Sequence, residues 1–220
     1  MLKKYGNISL MNITASQPEN WDFERANYAR IEIPSNANFE IDMQDKGFYL
    51  ADRTLKVSIG LAKLPEGLEK YIRLPIEETT NYKNDILIIA VNSFVYDRRF
   101  HILPRCNKEI SEQVLQTWVN ELDKVLVCLY KSQPIGFLAL KETAPDTLFV
   151  HLAAVDEKYR LMGAGMALYV KACLLAKERG YKKLEGRISS QNTSVMNIYA
   201  SLGAIFSEPL DIYLKEVKEK

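Results

Sequence analysis

From Val155 to Met166 the chain reads Val155-Asp156-Glu157-Lys158-Tyr159-Arg160-Leu161-Met162-Gly163-Ala164-Gly165-Met166. An apolar, strand-like run ends here, and two glycines stand at the mouth of an apolar helical pattern. That combination suits an anion. The first N–H groups of a helix have no carbonyl partner within it, and the helix dipole adds partial positive charge, so backbone alone can hold a pyrophosphate. Gly163 and Gly165 permit tight turn geometry and close approach of a ligand, and Arg160 brings a formal charge whose donors could reach a phosphate oxygen. The plainer reading is that the glycines only shape a strand-to-helix turn. The chain has no GxxxxGK[ST] loop, and this run lacks the full GxGxxG pattern, so the two common nucleotide cradles lose ground.

Other residues with chemical potential are few. The run QNTSVMNIYASLGA holds Asn192 where a helix would begin and Tyr199 within an apolar stripe with Val195 and Leu202, so Asn192 suits a helix N-cap and Tyr199 a core aromatic. His101 and His151 are the only histidines. His151 lies on the strand leading to the glycine turn, where it could be a general base or a structural residue; water or a carboxylate could also take the proton. Arg98 and Arg99 could grip a diphosphate or carboxylate through forked donors, or form a solvated helix edge.

The whole chain narrows the classes. Its 220 residues carry 29 basic and 28 acidic side chains, with 47% hydrophobic residues, which fits one medium domain, alone or with a small companion. Balanced charge makes nucleic acid or an anionic membrane a poor default partner and a small molecule the better one. Cys106, Cys128 and Cys173 are odd in number and lack CxxC spacing, so no disulfide framework or zinc site is expected, and a reducing cytoplasm fits. No signal peptide or membrane span is expected.

The elements that must position these residues follow from periodicity. Residues 1–70 read as a small unit of short strands, including Ala29–Ile33 and Gly47–Ile59, with no chemistry of their own. A soft boundary near 70 separates them from 71–220, where a strand is expected at Tyr71–Pro75 and helical signals run through Glu77–Val95 and Ser111–Leu122. Strands at Val125–Tyr130 and Ile135–Leu140 are joined by a turn at Lys131–Pro134, and Thr147–Val155 forms a third. Then come a helix over Met166–Glu178 stopped by Gly180, a strand at Lys183–Ser189, a helix through Val195–Leu202 stopped by Gly203, and a closing strand at Pro209–Val217. The fold class is α/β with a mixed sheet.

With these elements in place, the chain resembles the GNAT (GCN5-related) N-acetyltransferase superfamily over roughly residues 72–217. Its pyrophosphate loop, [RQ]-x-x-G-x-[GA], stands here as Arg160-Leu161-Met162-Gly163-Ala164-Gly165. A second signature of that family stands as Asn192, Tyr199 and Gly203. The resemblance implies the GNAT fold: a mostly antiparallel mixed sheet flanked by helices, here with a small N-terminal extension. It implies a V-shaped parting between the strand ending at Val155 and the strand beginning near Lys183. Acetyl-CoA would lie there, its pantetheine arm on backbone around Ala153 and Val155 and its pyrophosphate on Arg160 to Met166. By the same resemblance Tyr199 donates the proton to the leaving thiolate, and Asn192 hydrogen-bonds the cofactor.

A closer resemblance is to the TDP-fucosamine acetyltransferases. It rests on Tyr96-Asp97-Arg98-Arg99-Phe100-His101, on the N-terminal unit ending in Gly47 to Thr54, and on Asp211-Ile212-Tyr213-Leu214. It implies a nucleotide-linked 4-amino-4,6-dideoxy sugar as acceptor, in polysaccharide biosynthesis, with Arg98, Arg99 and His151 on the substrate. Here Leu161 fills a slot often held by glycine and the N-terminal unit is abbreviated. A peptide, polyamine or antibiotic amine is the alternative acceptor, and a noncatalytic coenzyme A-binding module the alternative role. The oligomeric state is open.

Overall fold

A computed structural model of the chain describes residues 2–5, 8–13, 26–36, 42–94 and 108–217. Ten strands form one sheet: β1 (Leu2–Tyr5), β2 (Ile8–Ile13), β3 (Tyr28–Pro34), β4 (Tyr49–Gly60), β5 (Ile76–Glu78), β6 (Lys124–Tyr130), β7 (Gln133–Ala144), β8 (Thr147–Val155), β9 (Lys183–Ser189) and β10 (Ile205–Glu216). Their spatial order is β1-β2-β3-β10-β4-β9-β8-β7-β6-β5. All neighbours are antiparallel except two parallel pairs, β2 with β3 and β8 with β9. Four helices complete the described structure: α1 (Lys83–Ser93), α2 (Lys108–Asn120), α3 (Ala164–Glu178) and α4 (Thr193–Ser201).

Alternation along β6 separates the two faces. Leu126 and Cys128 face a core completed by Leu168, Val170 and Cys173 of α3 and Tyr199 of α4. Val125, Val127 and Leu129 face the opposite core, with Ile86 and Ile89 of α1 and Leu115 and Val119 of α2. Helix α2 also reaches the far half of the sheet on that side, where Val114 packs with Leu10, Tyr28, Ala51 and Leu214. The strands of residues 1–70 thus share the sheet with later ones, and β4 lies between β9 and β10.

Local sequence explains most elements. Helix α3 is rich in Ala and Leu, the best helix formers, and it ends where Gly180 takes a left-handed φ of 83°. The β6–β7 turn is tighter than its residue types indicate: Gln133 already pairs with Tyr130, and Lys131 and Ser132 hold φ of 50° and 62°. This is the two-residue hairpin geometry that matches strand twist. Pro134 falls inside the strand because a register shift beside it leaves Ile135 without an opposite residue, and a bulge tolerates the missing N–H. The strand expected at Tyr71–Pro75 is absent. A 3-10 turn covers Leu68–Tyr71, and pairing starts after the proline, which has no donor, at Ile76 opposite Cys128.

Candidate active site

The sheet opens along one line. Strands β8 and β9 pair only from Thr147 opposite Lys183 to Val150 opposite Gly186. Beyond that point β8 stays bound to β7 as far as Val155, and β9 stays bound to β4 as far as Ser189. Each strand is held by its outer neighbour while the two part from one another. The backbone groups facing the gap are therefore sheet edges in mid-sheet, with hydrogen-bonding capacity and no strand across from them. The cause of the parting is local. Ala139 pairs with Leu152 and Leu140 with Val150, so His151 is an extra residue on β8. Such a bulge bends its strand and increases the twist, and it falls where the β8–β9 ladder stops.

Beyond β8, Asp156 accepts from the Lys158 N–H and opens a 3-10 turn over Glu157–Met162. Gly163 follows with φ 78° and ψ 9°, a left-handed conformation that favours glycine, and α3 starts with no side-chain cap. The first hydrogen bond of that helix runs from the Ala167 N–H to the Gly163 carbonyl at 3.0 Å. The amides before it thus have no carbonyl partner within α3. A Cβ on Gly165 would stand 3.4 Å from Ile198 Cδ1 and 3.9 Å from Val155 Cγ2, so this position sits close to α4 and the end of β8. Arg160 is exposed, and its Nε donates to the Val155 carbonyl at 3.4 Å. That carbonyl also accepts from Ser93 Oγ at 3.3 Å, so it already has partners on both sides. Ala153 and Val155 are half-buried on the α3 side of the sheet. Leu161 is fully exposed, and Met162 and Met166 flank the glycines, the first exposed and the second half-buried.

Tyr199 is buried at the apex of the gap. A Cβ on Gly186, the last β9 residue paired to β8, would lie 2.5 Å from its Oη. The phenol therefore occupies the space a side chain at 186 would fill. Its ring meets Tyr169 edge-on at 5.0 Å between centroids. Its hydroxyl is sealed from solvent and has no hydrogen-bond partner among the described residues. Burial, reinforced by the Tyr169 phenol, pushes its pKa well above that of an ordinary tyrosine, so the group stays protonated near neutral pH.

Asn192 caps α4: its Oδ1 accepts from the Val195 N–H at 3.2 Å, and its side chain stands exposed beyond β9. His151 is exposed at the bulge. Arg98 and Arg99, with His101, lie outside the described residues. Sequence reasoning missed what β4 brings to β9: buried Asp52, whose Oδ1 accepts from Ser189 Oγ at 2.8 Å. Strand pairing between distant segments leaves no mark on local pattern. Gly186 did leave one, since a glycine inside a strand often signals close approach of another group. Among the described residues no cluster of three or more His, Cys, Asp or Glu could hold a metal, and no helix is long and apolar enough to cross a membrane.

A sheet opened between two parallel strands, with an uncapped glycine-led helix at its mouth, offers open backbone edges along the gap and amides without helical partners at one end. The model of the acetyltransferase (GNAT) family matches residues 93–204, and the chain belongs to that family. Its fold is the GNAT fold, a mixed sheet flanked by helices. Solved structures share it. A functionally unknown conserved protein from Staphylococcus epidermidis is similar at 17% identity and a TM-score of 0.62, over 88% of this chain and 74% of that one. A GCN5-related N-acetyltransferase from Sphaerobacter thermophilus is similar at 15% identity and a TM-score of 0.61, over 87% and 60%. A GCN5-related glucosamine N-acetyltransferase region of a fungal multi-domain GH3 beta-N-acetylglucosaminidase is similar at 11% and 0.58, over 86% and 25%. No curated protein matches the sequence.

Proposed function

We propose that the chain is an N-acetyltransferase that moves the acetyl group of acetyl-CoA directly to the amine of a small acceptor. Members of its family use acetyl-CoA as acyl donor. The observation that carries the reading is the parting of β8 from β9 after Val150 and Gly186, in line with the uncapped start of α3. The residues present fit the donor. Amides from Gly163 to Met166 offer donors to a pyrophosphate, with Arg160 alongside. Ala153 and Val155 supply backbone for an extended arm, which takes the place of a strand in the gap. Asn192 reaches the same end from the start of α4, its amide nitrogen open to a ligand while its oxygen caps the helix.

Acetyl-CoA supplies an activated thioester, and the chain's residues supply position and a proton. A backbone N–H at the open edge near Ala153 is placed to stabilise charge developing on a carbonyl oxygen. Tyr199 is the proposed proton donor. Its buried hydroxyl keeps its proton at neutral pH and makes no well-formed hydrogen bond among the described residues, with only the Tyr169 phenol close by. The raised pKa makes it a reluctant acid toward water. The same low-polarity surroundings push the Cys173 thiol up to about 12. In such surroundings Tyr199 would give up its proton to a thiolate leaving group more readily than it would in water.

For the acceptor we propose a nucleotide-linked 4-amino-4,6-dideoxy sugar, with Arg98, Arg99 and His151 as its contacts. The support is the sequence resemblance, together with a fold neighbour described as a glucosamine N-acetyltransferase region. Thiol release from acetyl-CoA, followed across TDP- and UDP-amino sugars, glucosamine, polyamines, amino acids and peptides, tests the reading. Turnover confined to nucleotide amino sugars supports it. Turnover with polyamines or peptides retires the sugar and keeps the chemistry, whereas acetyl-CoA binding without any turnover favours a noncatalytic coenzyme A module.

A further inference from the structure

Among the described residues the buried polar or charged side chains are Asp52, Thr54, Thr147 and Asp211. Three of them have evident partners. Asp211 takes both arms of Arg53 at 2.5 and 2.7 Å. Thr54 accepts from Arg187 at 3.3 Å, and Thr147 donates to Asp146 at 2.9 Å. Asp52 differs: it is a buried carboxylate with no cation among the described residues. Its Oδ1 accepts from the Arg53 N–H and from Ser189 Oγ, both at 2.8 Å. Its Oδ2 accepts no hydrogen bond among the described residues, yet it is not among the unpaired atoms sealed from solvent. Neighbouring charges on that face are already matched: Lys56 with Glu185 and Glu208 at 3.5 and 3.3 Å, and Arg187 with Glu208 at 3.6 Å. With Oδ2 open and no cation beside it among the described residues, a cation that reaches it gains a charge-assisted hydrogen bond.

The place of Asp52 says which cation. Leu184, Gly186 and Ile188 of β9 face α3 and Tyr199, so alternation turns Glu185, Arg187 and Ser189 to the other face. Ser189 lies past the last β8–β9 pair, and counting past the extra His151 brings it opposite Ala154, which like Ser189 faces away from α3. A second bulge aims Asp52 there. Ile212 and Tyr213 pair with Asp52 and Leu50, so Ala51 is the extra residue on β4. The carboxylate thus stands on the side of the gap away from Tyr199, next to the β9 edge that flanks the reacting end of the donor.

We infer that Asp52, oriented by Ser189, is the site that receives the acceptor's reacting nitrogen as an ammonium ion. This deepens the acyl-transfer reading and rests on it. The acceptor class is then an aliphatic amine, cationic in water at neutral pH; aromatic amines and alcohols lack the charge that the site requires. An amino sugar and a polyamine both satisfy it.

Two coenzyme A thioethers test this without knowledge of the natural acceptor: S-(2-aminoethyl)-coenzyme A, which carries an ammonium where the acceptor nitrogen would stand, and neutral S-(2-hydroxyethyl)-coenzyme A. By calorimetry the wild-type protein is expected to bind the ammonium compound at least ~10-fold more tightly, a difference in keeping with one desolvated charge pair. Asp52→Asn should erase that preference while leaving the affinity for the hydroxyethyl compound unchanged, which also shows that the variant is folded. Ser189→Ala should narrow the preference several-fold. Equal binding of the two compounds by the wild type overturns the inference, as does a preference that survives in a folded Asp52→Asn. Failure of both to bind overturns the coenzyme A reading and, with it, this site.

Discussion

Tyr199 and Gly186 form one unit, and each constrains substitution of the other. Replacing Tyr199 with Phe removes a hydroxyl that is buried without a partner, so stability should hold or rise by up to about 1 kcal/mol. Acetyl transfer should fall ~100-fold or more if the phenol is the proton donor. Thermal unfolding beside steady-state thiol release separates the two effects; an active Tyr199→Phe retires the proton-donor role. Gly186→Ala forces a methyl to within 2.5 Å of the phenol oxygen and should cost about 1–3 kcal/mol through overpacking. In the double variant the nearest ring atom is Cζ at 3.5 Å, an ordinary contact, so Tyr199→Phe should recover most of the loss. Urea unfolding of the four proteins measures that coupling, and additive effects would contradict the geometry.

At the scale of elements, two junctions can be tested separately. The mouth of α3 has no side-chain cap, and Arg160 is exposed on the turn that leads into it. Arg160→Ala should raise the Kd for acetyl-CoA roughly 10-fold, as expected for a lost charged contact, with little change in the turnover number; calorimetry at two salt concentrations reports it. The β4–β10 junction is pinned by Arg53, which together with Ser35 holds the Asp211 carboxyl below its ordinary pKa. A depressed carboxyl stabilises the fold above its unfolded value, about 3.9, and that contribution is lost as pH falls through the lower folded value. Arg53 is half exposed, so water screens the pair and Asp211→Asn should cost only about 1 kcal/mol at pH 7. Denaturation curves of the wild type and the variant should begin to converge below about pH 4 and meet only below the depressed folded pKa of Asp211; a gap that persists at that lower pH would assign the loss to packing instead of charge.

The whole molecule depends on a strand from its first third. Strand β4 separates β9 from β10, and its Val57 and Ile59 are buried under α3 and α4. A fragment of residues 71–220 should therefore lack a cooperative unfolding transition, which circular dichroism against temperature would show; a sharp transition would establish that the later residues fold alone. In the intact protein burial pushes the Cys128 thiol up to about 11 and Cys173 up to about 12. Both should resist alkylation at pH 8 until the protein unfolds, since only the thiolate reacts.

Much of this was legible in the sequence wherever local chemistry is decisive. The glycine turn after β8, the α3 and α4 boundaries and the Asn192 cap follow from helix-end physics that acts within a few residues. The two motifs around them identified the family. Tyr199 was legible as a residue but not as a placement: a stripe of apolar neighbours looks the same whether its phenol meets solvent, a packed side chain or the bare backbone of Gly186. The hairpin turn was misjudged by two residues because a bulge beside Pro134 is invisible until the strands pair. Asp52 was not legible at all. Its meaning comes from Ser189, 137 residues away, and from a bulge defined only by pairing with β10. Sequence by itself thus determined most of the elements, the glycine turn and the family. Tertiary structure alone decided where the sheet parts and which residues from distant strands meet at the gap, because strand order and register are set by long-range pairing and burial.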